Sequence, residues 1–143
     1  MTDFSRLRLR RHRRQYLIAP SGYTPDAPHR AAPIFDRPVH RLAGDLRTHA
    51  LAEPGISLKD ISIDGRQLEL MHRSPVLKLT TRISCHFIPL SDTQSTLAIY
   101  SRTKYASRSA NQKRIDAWLA AIGAPADESS EMRLQPAASP ASA

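Results

Sequence analysis

The sequence is short of several residue types, and each shortage narrows the kinds of protein that it can encode. Cys85 is the only cysteine among 143 residues, which excludes an intramolecular disulfide and predicts a reducing compartment. The five glycines are scattered, so no glycine-rich loop is available to cradle a phosphate. One Trp, three Phe and four Tyr leave a predicted core of Leu, Ile, Val and Ala.

Long apolar runs are also missing. No stretch approaches the ~18–20 apolar residues that are needed to span a bilayer. After the arginine-rich start, only residues 16–19 precede Pro20, which is shorter than the roughly 7–15 residues of a signal-peptide core. The sequence therefore predicts a soluble cytoplasmic protein.

Positive charge is abundant, but it is unevenly placed. The formal charge is +8, and residues 1–14 hold six arginines against one aspartate. The last residues are Ala, Pro, Ser and acid, with too few apolar groups to offset the entropy of ordering them. We therefore predict a disordered basic arm at 1–14, a single domain at 15–123 and a disordered tail at 124–143.

Two amphipathic helices are predicted in the domain. Asp36 is the predicted N-cap of the first helix, which Gly55 ends. Its apolar face consists of Val39, Leu42, Ala43, Leu46 and Ala50. In the second helix, Ser109 and Gln112 form a predicted capping box. The apolar stripe of that helix consists of Ile115, Trp118, Leu119 and Ile122.

Strand patterns fill the region between the helices. Two short apolar alternations flank Asp64-Gly65, a pair typical of a two-residue hairpin turn. Residues 77–87 then alternate, which predicts one face toward the core and the other toward water, up to Pro89. The fourth strand begins at Leu97. This order predicts an α+β fold: an antiparallel sheet of about four strands, with an N-terminal and a C-terminal amphipathic helix packed on one face. A helix-grip lipid-binding fold is the alternative.

The last third of the chain carries a family resemblance. Residues 97–104 read Leu-Ala-Ile-Tyr-Ser-Arg-Thr-Lys, and Asn111, Arg114-Ile115 and residues 117–119 (Ala-Trp-Leu) follow. Together with residues 16–20 and 33–35, they resemble the bacterial domain of unknown function 1499 family over roughly residues 15–122. Where that family usually has a Phe-Pro-Asp-like segment, this chain has Ser-Cys-His-Phe, and its loop at 105–110 lacks the family's Asp and Gly. The family has no established activity, so the resemblance implies a fold and a patch, not a reaction.

The junction between the last strand and the second helix is the predicted site. It gathers cations and hydroxyls before a helix N-terminus, where unpaired N–H groups attract anions. The predicted anion-binding residues are Ser101, Arg102, Lys104, Ser107, Arg108, Ser109 and Asn111. In the alternative interpretation, Ser109 only caps the helix and the cations are solvated.

The basic arm is a second candidate for anion binding. Its cations are Arg6, Arg8, Arg10, Arg11, Arg13 and Arg14. Such a run can bind nucleic-acid phosphates or anionic lipid without sequence specificity, but the favoured interpretation is a solvated, disordered tail. The predicted partners of the junction and the arm are therefore phosphate, lipid headgroup or nucleic acid, and no nucleic-acid-binding motif accompanies them.

No catalytic residue, metal site or cofactor is predicted. His72 and His86 are expected on neighbouring strands, about seven residues apart, or ~20 Å at strand rise. Cys85 is predicted to be a small core side chain. The predicted function is a non-enzymatic binding or accessory module. The alternative is a small hydrolase or transferase that uses the same basic junction to orient an anionic substrate.

Overall fold

The fold combines one sheet with two helices. The computed structural model describes residues 2–9, 14–103 and 108–123. Across these residues the strands and helices, in chain order, are β1 (Gln15–Ala19), β2 (Arg30–Ala31), α1 (Val39–Ala52), β3 (Ile56–Ile61), β4 (Gln67–Arg73), β5 (Thr80–Pro89), β6 (Ser95–Thr103) and α2 (Arg108–Ala121). A short 3₁₀ turn at Phe4–Arg6 precedes them.

The sheet is mixed and has the strand order β2-β1-β6-β5-β4-β3. The two-residue strand β2 pairs with β1 in parallel, and every other neighbouring pair is antiparallel. The predicted α+β class with two helices is confirmed. Strands β3 to β6 form the antiparallel four-stranded part that was predicted, but β1 and β2 extend the sheet to six strands.

Strand β1 was missed because it is buried on both faces. All five of its residues are buried, and Leu17 and Ile18 belong to different apolar clusters on opposite sides of the sheet. A strand covered on both sides shows a continuous apolar run instead of alternation, and such a short run does not distinguish a strand from other structures.

Both helices pack on one face of the sheet, which we call the inner face. Helix α1 contacts β3, β5 and β6, and α2 contacts β1 and β6. The predicted apolar stripes are buried there, including Leu42 and Leu46 of α1 and Ile115, Trp118 and Leu119 of α2. Cys85 lies in the same core, where burial raises the pKa of its thiol, so the prediction of a core cysteine is confirmed.

The helix starts and one strand start differ from those predicted. Helix α1 begins at Val39, and its N-cap residue is Pro38, whose side chain has no acceptor to cap the helix. The predicted cap, Asp36, instead accepts a hydrogen bond from Gln94 Nε2 at 2.7 Å. Helix α2 begins at Arg108, one residue before the predicted cap. Strand β5 begins at Thr80, so the prediction that Leu77 faces the core is wrong: it is 71% exposed.

Glu53, the C-cap residue of α1, ties the two helices to the sheet. Its carboxylate accepts hydrogen bonds from Trp118 Nε1 at 2.8 Å and from Arg114 Nε at 3.0 Å. His72 of β4 lies against the same pair, with its Nδ1 at 3.3 Å from Arg114 Nη2. The chain reaches β3 through Gly55 (φ +88°), where a Cβ atom would lie 2.6 Å from the carbonyl oxygen of Arg73. Glycine is therefore required at this turn.

The opposite face, which we call the outer face, is covered by the start of the chain. Phe4 is 1% exposed and packs in a second apolar cluster with Leu17, Ala19, Ala98 and Tyr100. The prediction of a water-facing surface is therefore wrong for Ser84 and His86, which are only 3% and 8% exposed.

The predicted disordered arm at 1–14 differs from the structure for the same reason. Residues 2–9 are ordered against the sheet because Phe4 and Leu7 bury apolar surface there. The backbone N–H of Leu9 also donates to Asp26 Oδ2 at 2.7 Å. Arg10, Arg11 and Arg13 lie outside the described residues, as does the predicted tail at 124–143.

Candidate functional site

A cavity of about 390 Å³ opens on the outer face, beneath the N-terminal segment. We call it the outer-face cavity. It is lined by Thr2, Leu7, Arg8, Gln15, Glu69, Arg82, Ser84, Tyr100 and Arg102. Strand register explains this set, because one row across the sheet pairs Gln15 with Arg102 and Arg102 with Arg82. The next row pairs Tyr100 with Ser84 and Ser84 with Glu69.

Arg82 and Arg102 form the cationic wall of the cavity. They are directly opposed on β5 and β6, where Cβ atoms are typically about 4.5–5.5 Å apart and like charges repel. In the part of the chain that the structure describes, neither guanidinium has a carboxylate within ion-pairing distance. No such ion pair offsets the repulsion, and an anion bound between the two guanidinium groups would reduce it.

Less exposed arginines of the same protein are neutralised internally. Arg30 contacts Asp116 at 2.9 Å, Arg37 contacts Asp45 at 2.9 Å, and Arg114 contacts Glu53 at 3.0 Å. Arg8, which also lines the cavity, is 3.3 Å from Asp26. The opposed pair thus differs from these arginines: it lines a concave site and, among the described residues, forms no ion pair with an acid.

Glu69 is the carboxylate of the cavity, and both of its oxygens accept hydrogen bonds. Oε2 accepts from the backbone N–H of Thr2 at 3.0 Å, and Oε1 accepts from Ser84 Oγ at 2.8 Å. Thr2 Oγ1 lies 2.6 Å from Ser84 Oγ. Because the single Ser84 proton is donated to Glu69, Thr2 donates to Ser84. This chain of bonds fastens the start of the polypeptide to one side of the cavity.

The predicted site residues do not meet in one place. Arg102 lies in the outer-face cavity, whereas Ser101 and Asn111 are completely buried on the inner side of the sheet. Asn111 Nδ2 donates to the carbonyl oxygen of Arg14 at 3.4 Å. Within the described ranges, Ser101 Oγ and Asn111 Oδ1 have no hydrogen-bond partner. Sequence neighbours on a strand point to opposite faces, which separates Arg102 from the other two.

The remaining predicted residues are only partly located. Arg108 and Ser109 form the first turn of α2. Lys104 and Ser107 lie outside the described residues. The cavity residues that sequence reasoning missed are Thr2, Gln15, Glu69, Arg82 and Ser84. Arg82 carried a signal, since it is a cation on a strand expected to pair with the strand of Arg102.

The two histidines of the central strands lie on opposite faces. His72 pairs with Thr81, five residues from His86 along β5 instead of about seven as predicted, and it faces the helices. His86 pairs with Gln67 and contacts the ring of Phe4, with ring centroids 4.2 Å apart. Among the described residues, no three His, Cys, Asp or Glu side chains are close enough to hold a metal ion.

His86 gives the outer face a pH dependence. Burial lowers the pKa of His86 below its ordinary value of 6.5, and it outweighs the opposing effects of the Thr2 backbone and of the charges on Glu69 and Asp3. The unfolded chain therefore binds more protons than the folded chain as pH falls through 6.5. Stability is full above that pH and is lost as pH falls toward the lowered value.

We expect the urea concentration at the unfolding midpoint to decrease as the pH is lowered below 6.5. The decrease should be smaller in His86→Phe, which keeps the aromatic contact with Phe4 but cannot be protonated. Burial, together with Arg114, also lowers the pKa of His72, so part of the slope remains in that variant. Urea unfolding at a series of pH values measures both slopes. Identical slopes would show that His86 does not contribute.

Comparison with known proteins adds no identification. The chain matches no protein-family model and no curated protein. The resemblance to the domain of unknown function 1499 family therefore stays a prediction. No helix within the described ranges is long and apolar enough to cross a membrane.

Proposed function

We propose that the protein is a non-enzymatic cytoplasmic binding module that holds a small phosphate- or carboxylate-bearing ligand in the outer-face cavity. Arg82 and Arg102 are its anion-binding residues. The observation that carries the proposal is their direct opposition across β5 and β6, without an ion pair from either guanidinium to an acid in the described residues. Membership of the domain of unknown function 1499 family is part of the same proposal, since that resemblance includes the strand that holds Arg102.

The chemistry of the cavity narrows the ligand. A guanidinium presents a planar pair of N–H donors that matches two oxygens of a phosphate or carboxylate. Tyr100 and Gln15 line the same wall and are joined by a 2.6 Å hydrogen bond. Glu69 adds acceptor oxygens that favour a ligand with hydroxyl groups. A phosphorylated or carboxylated polyol provides an anionic group for the arginines and hydroxyl donors for the Glu69 carboxylate.

The alternative proposal, a small hydrolase or transferase, has one observation in its favour. Ser84 Oγ donates to Glu69 Oε1 at 2.8 Å beside two arginines. In an enzyme, such a pair can act as a hydroxyl nucleophile and its general base. However, Ser84 is only 3% exposed and also contacts Thr2, so an attacking approach to a substrate is obstructed. We therefore prefer binding to catalysis.

Titration with glycerol phosphate tests the proposal. We expect saturable binding by the original protein and a loss of roughly 10–100-fold in affinity for Arg82→Gln and for Arg102→Gln, because each removes a charge-assisted hydrogen bond. Isothermal titration calorimetry measures the affinities, with inorganic phosphate as a second ligand.

Arg47→Gln is the matched control, since Arg47 is an exposed cation on α1, on the other side of the sheet. It should bind as the original does. Equal affinity in all four proteins would overturn the assignment of the cavity. Turnover of a phosphate ester that Glu69→Gln abolishes would favour the enzymatic alternative.

A further inference from the structure

The loop between β4 and β5 presents two adjacent apolar side chains to solvent. Val76 is 83% exposed and Leu77 is 71% exposed, although both are large aliphatic residues. The loop is closed by two hydrogen bonds: the N–H of Ser74 donates to the carbonyl oxygen of Leu79, and the N–H of Leu79 donates to Ser74 Oγ, both at 2.9 Å. The pair is therefore held outward in a defined conformation.

A cationic concavity lies directly beside this loop. It has a volume of about 570 Å³, and we call it the loop concavity. Its lining consists of Pro54, Gly55, Ile56, Ser57, Lys59, Met71, Arg73, Ser74, Pro75 and Lys78. Three cations and two serines converge here from two strands and the loop, and among the described residues no carboxylate belongs to the lining. The outer-face cavity, in contrast, contains Glu69.

Lys78 links the two features. Lys78 has a left-handed backbone conformation, with φ of 57°, which residues other than glycine rarely adopt. This conformation closes the turn that displays Val76 and Leu77, while Lys78 itself lines the loop concavity. One short segment thus combines apolar surface with positive charge.

We propose that this end of the sheet docks on an anionic lipid bilayer. Val76 and Leu77 enter the interfacial region, and the phosphate of an anionic lipid occupies the loop concavity between Lys59, Arg73 and Lys78. Two aliphatic side chains bind a membrane weakly by themselves, so stable docking needs the electrostatic contribution as well. The loop provides both contributions within one surface.

Charge favours a bilayer over a second copy of the chain as the occupant. Two copies that met through this loop would bring their concavities together, and the cations of both would repel each other. An anionic membrane surface instead attracts them, by about fivefold in affinity for each Lys or Arg near the surface. This docking is independent of the function proposed for Arg82 and Arg102.

Co-sedimentation of the full chain with vesicles tests the proposal. The original protein should bind vesicles of phosphatidylcholine with phosphatidylserine, but not vesicles of phosphatidylcholine alone. Val76→Asn combined with Leu77→Asn should weaken binding on the order of tenfold, because it removes the inserted apolar surface. Lys59→Gln combined with Arg73→Gln should weaken it about 25-fold.

Two controls separate the loop from general effects. Ile63→Asn removes an equally exposed aliphatic side chain from the β3–β4 turn, and it should bind as the original does. Arg82→Gln combined with Arg102→Gln should also keep vesicle binding, which distinguishes this proposal from the one for the outer-face cavity. Excess inorganic phosphate should weaken vesicle binding, since it competes with the headgroup for the loop concavity and the apolar contact alone is weak.

Several results would overturn the proposal. Unchanged binding in both loop variants would place the membrane contact elsewhere. Equal binding to vesicles of phosphatidylcholine alone would remove the role of the cations. If analytical ultracentrifugation showed a dimer that the Val76→Asn, Leu77→Asn variant abolished, without vesicle binding by the original, the occupant would be a second copy.

Discussion

Trp118→Ala is expected to lower the free energy of unfolding by about 3–5 kcal/mol, the range for a large aromatic side chain removed from a core. Trp118 is 2% exposed, and it lies in the cluster that joins both helices to the inner face. Its loss opens a cavity and also leaves Glu53 without one of its donors. Urea unfolding followed by circular dichroism measures the change. A midpoint equal to that of the original would contradict the placement of this residue.

Trp118→Phe divides that effect into two parts. Phenylalanine keeps much of the apolar burial but cannot donate to Glu53 Oε1, so we expect a loss of about 1–3 kcal/mol from the missing hydrogen bond and the smaller ring. Glu53 keeps its bond from Arg114, which should hold the end of α1 in place. If Trp118→Phe lost as much free energy of unfolding as Trp118→Ala, the hydrogen bond to Glu53 would account for most of the stabilisation by Trp118.

Phe4→Ala is the second substitution with a large expected effect. Phe4 is 1% exposed and lies against His86 and Tyr23, so a loss approaching 3 kcal/mol is expected, the lower end of the range for a buried Phe. The value is at the lower end because the N-terminal segment can detach from the sheet, so the substitution does not leave a cavity in the core. The pKa of His86 should rise toward its ordinary 6.5 as water reaches the ring.

Proton NMR titration of His86, together with urea unfolding, follows both consequences of that substitution. Arg6→Ala provides the control, since the Arg6 side chain is 88% exposed and only one turn away. It should leave the stability and the His86 titration unchanged. If Phe4→Ala behaved as Arg6→Ala does, the N-terminal segment would not cover the outer face in solution.

Local sequence patterns predicted the inner face well because the helices that cover it carry their own periodicity. Thr81, Ile83, Cys85 and Phe87 are all buried as the alternation indicated. The outer face was predicted wrongly because its cover is an arginine-rich segment far away in sequence. In that segment Phe4 and Leu7 are interleaved with cations. The pattern of a short stretch of sequence does not show that the stretch packs on a distant strand.

In the candidate site, too, local sequence patterns predict some features, whereas others depend on contacts between distant segments. That Ser101 and Arg102 diverge was predictable, because Leu97 and Ile99 set the phase of their strand and Ser101 shares it. The opposition of Arg102 and Arg82 was not, since it depends on the register that the β5–β6 turn selects. The part played by Thr2 depends on a hydrogen bond to Glu69 that no local pattern indicates.

The position of β1 has a consequence for the order in which the chain folds. β1 is synthesised long before β6, yet it lies between β2 and β6, and its Leu17 pairs with Tyr100. A ribosome therefore releases the apolar run of β1 long before its antiparallel neighbour exists. Pairing over such a separation in sequence is slow to form and leaves apolar strand surface unpaired in the meantime. Nascent chains that stop before β6 should consequently aggregate, whereas chains that include β6 and α2 should fold.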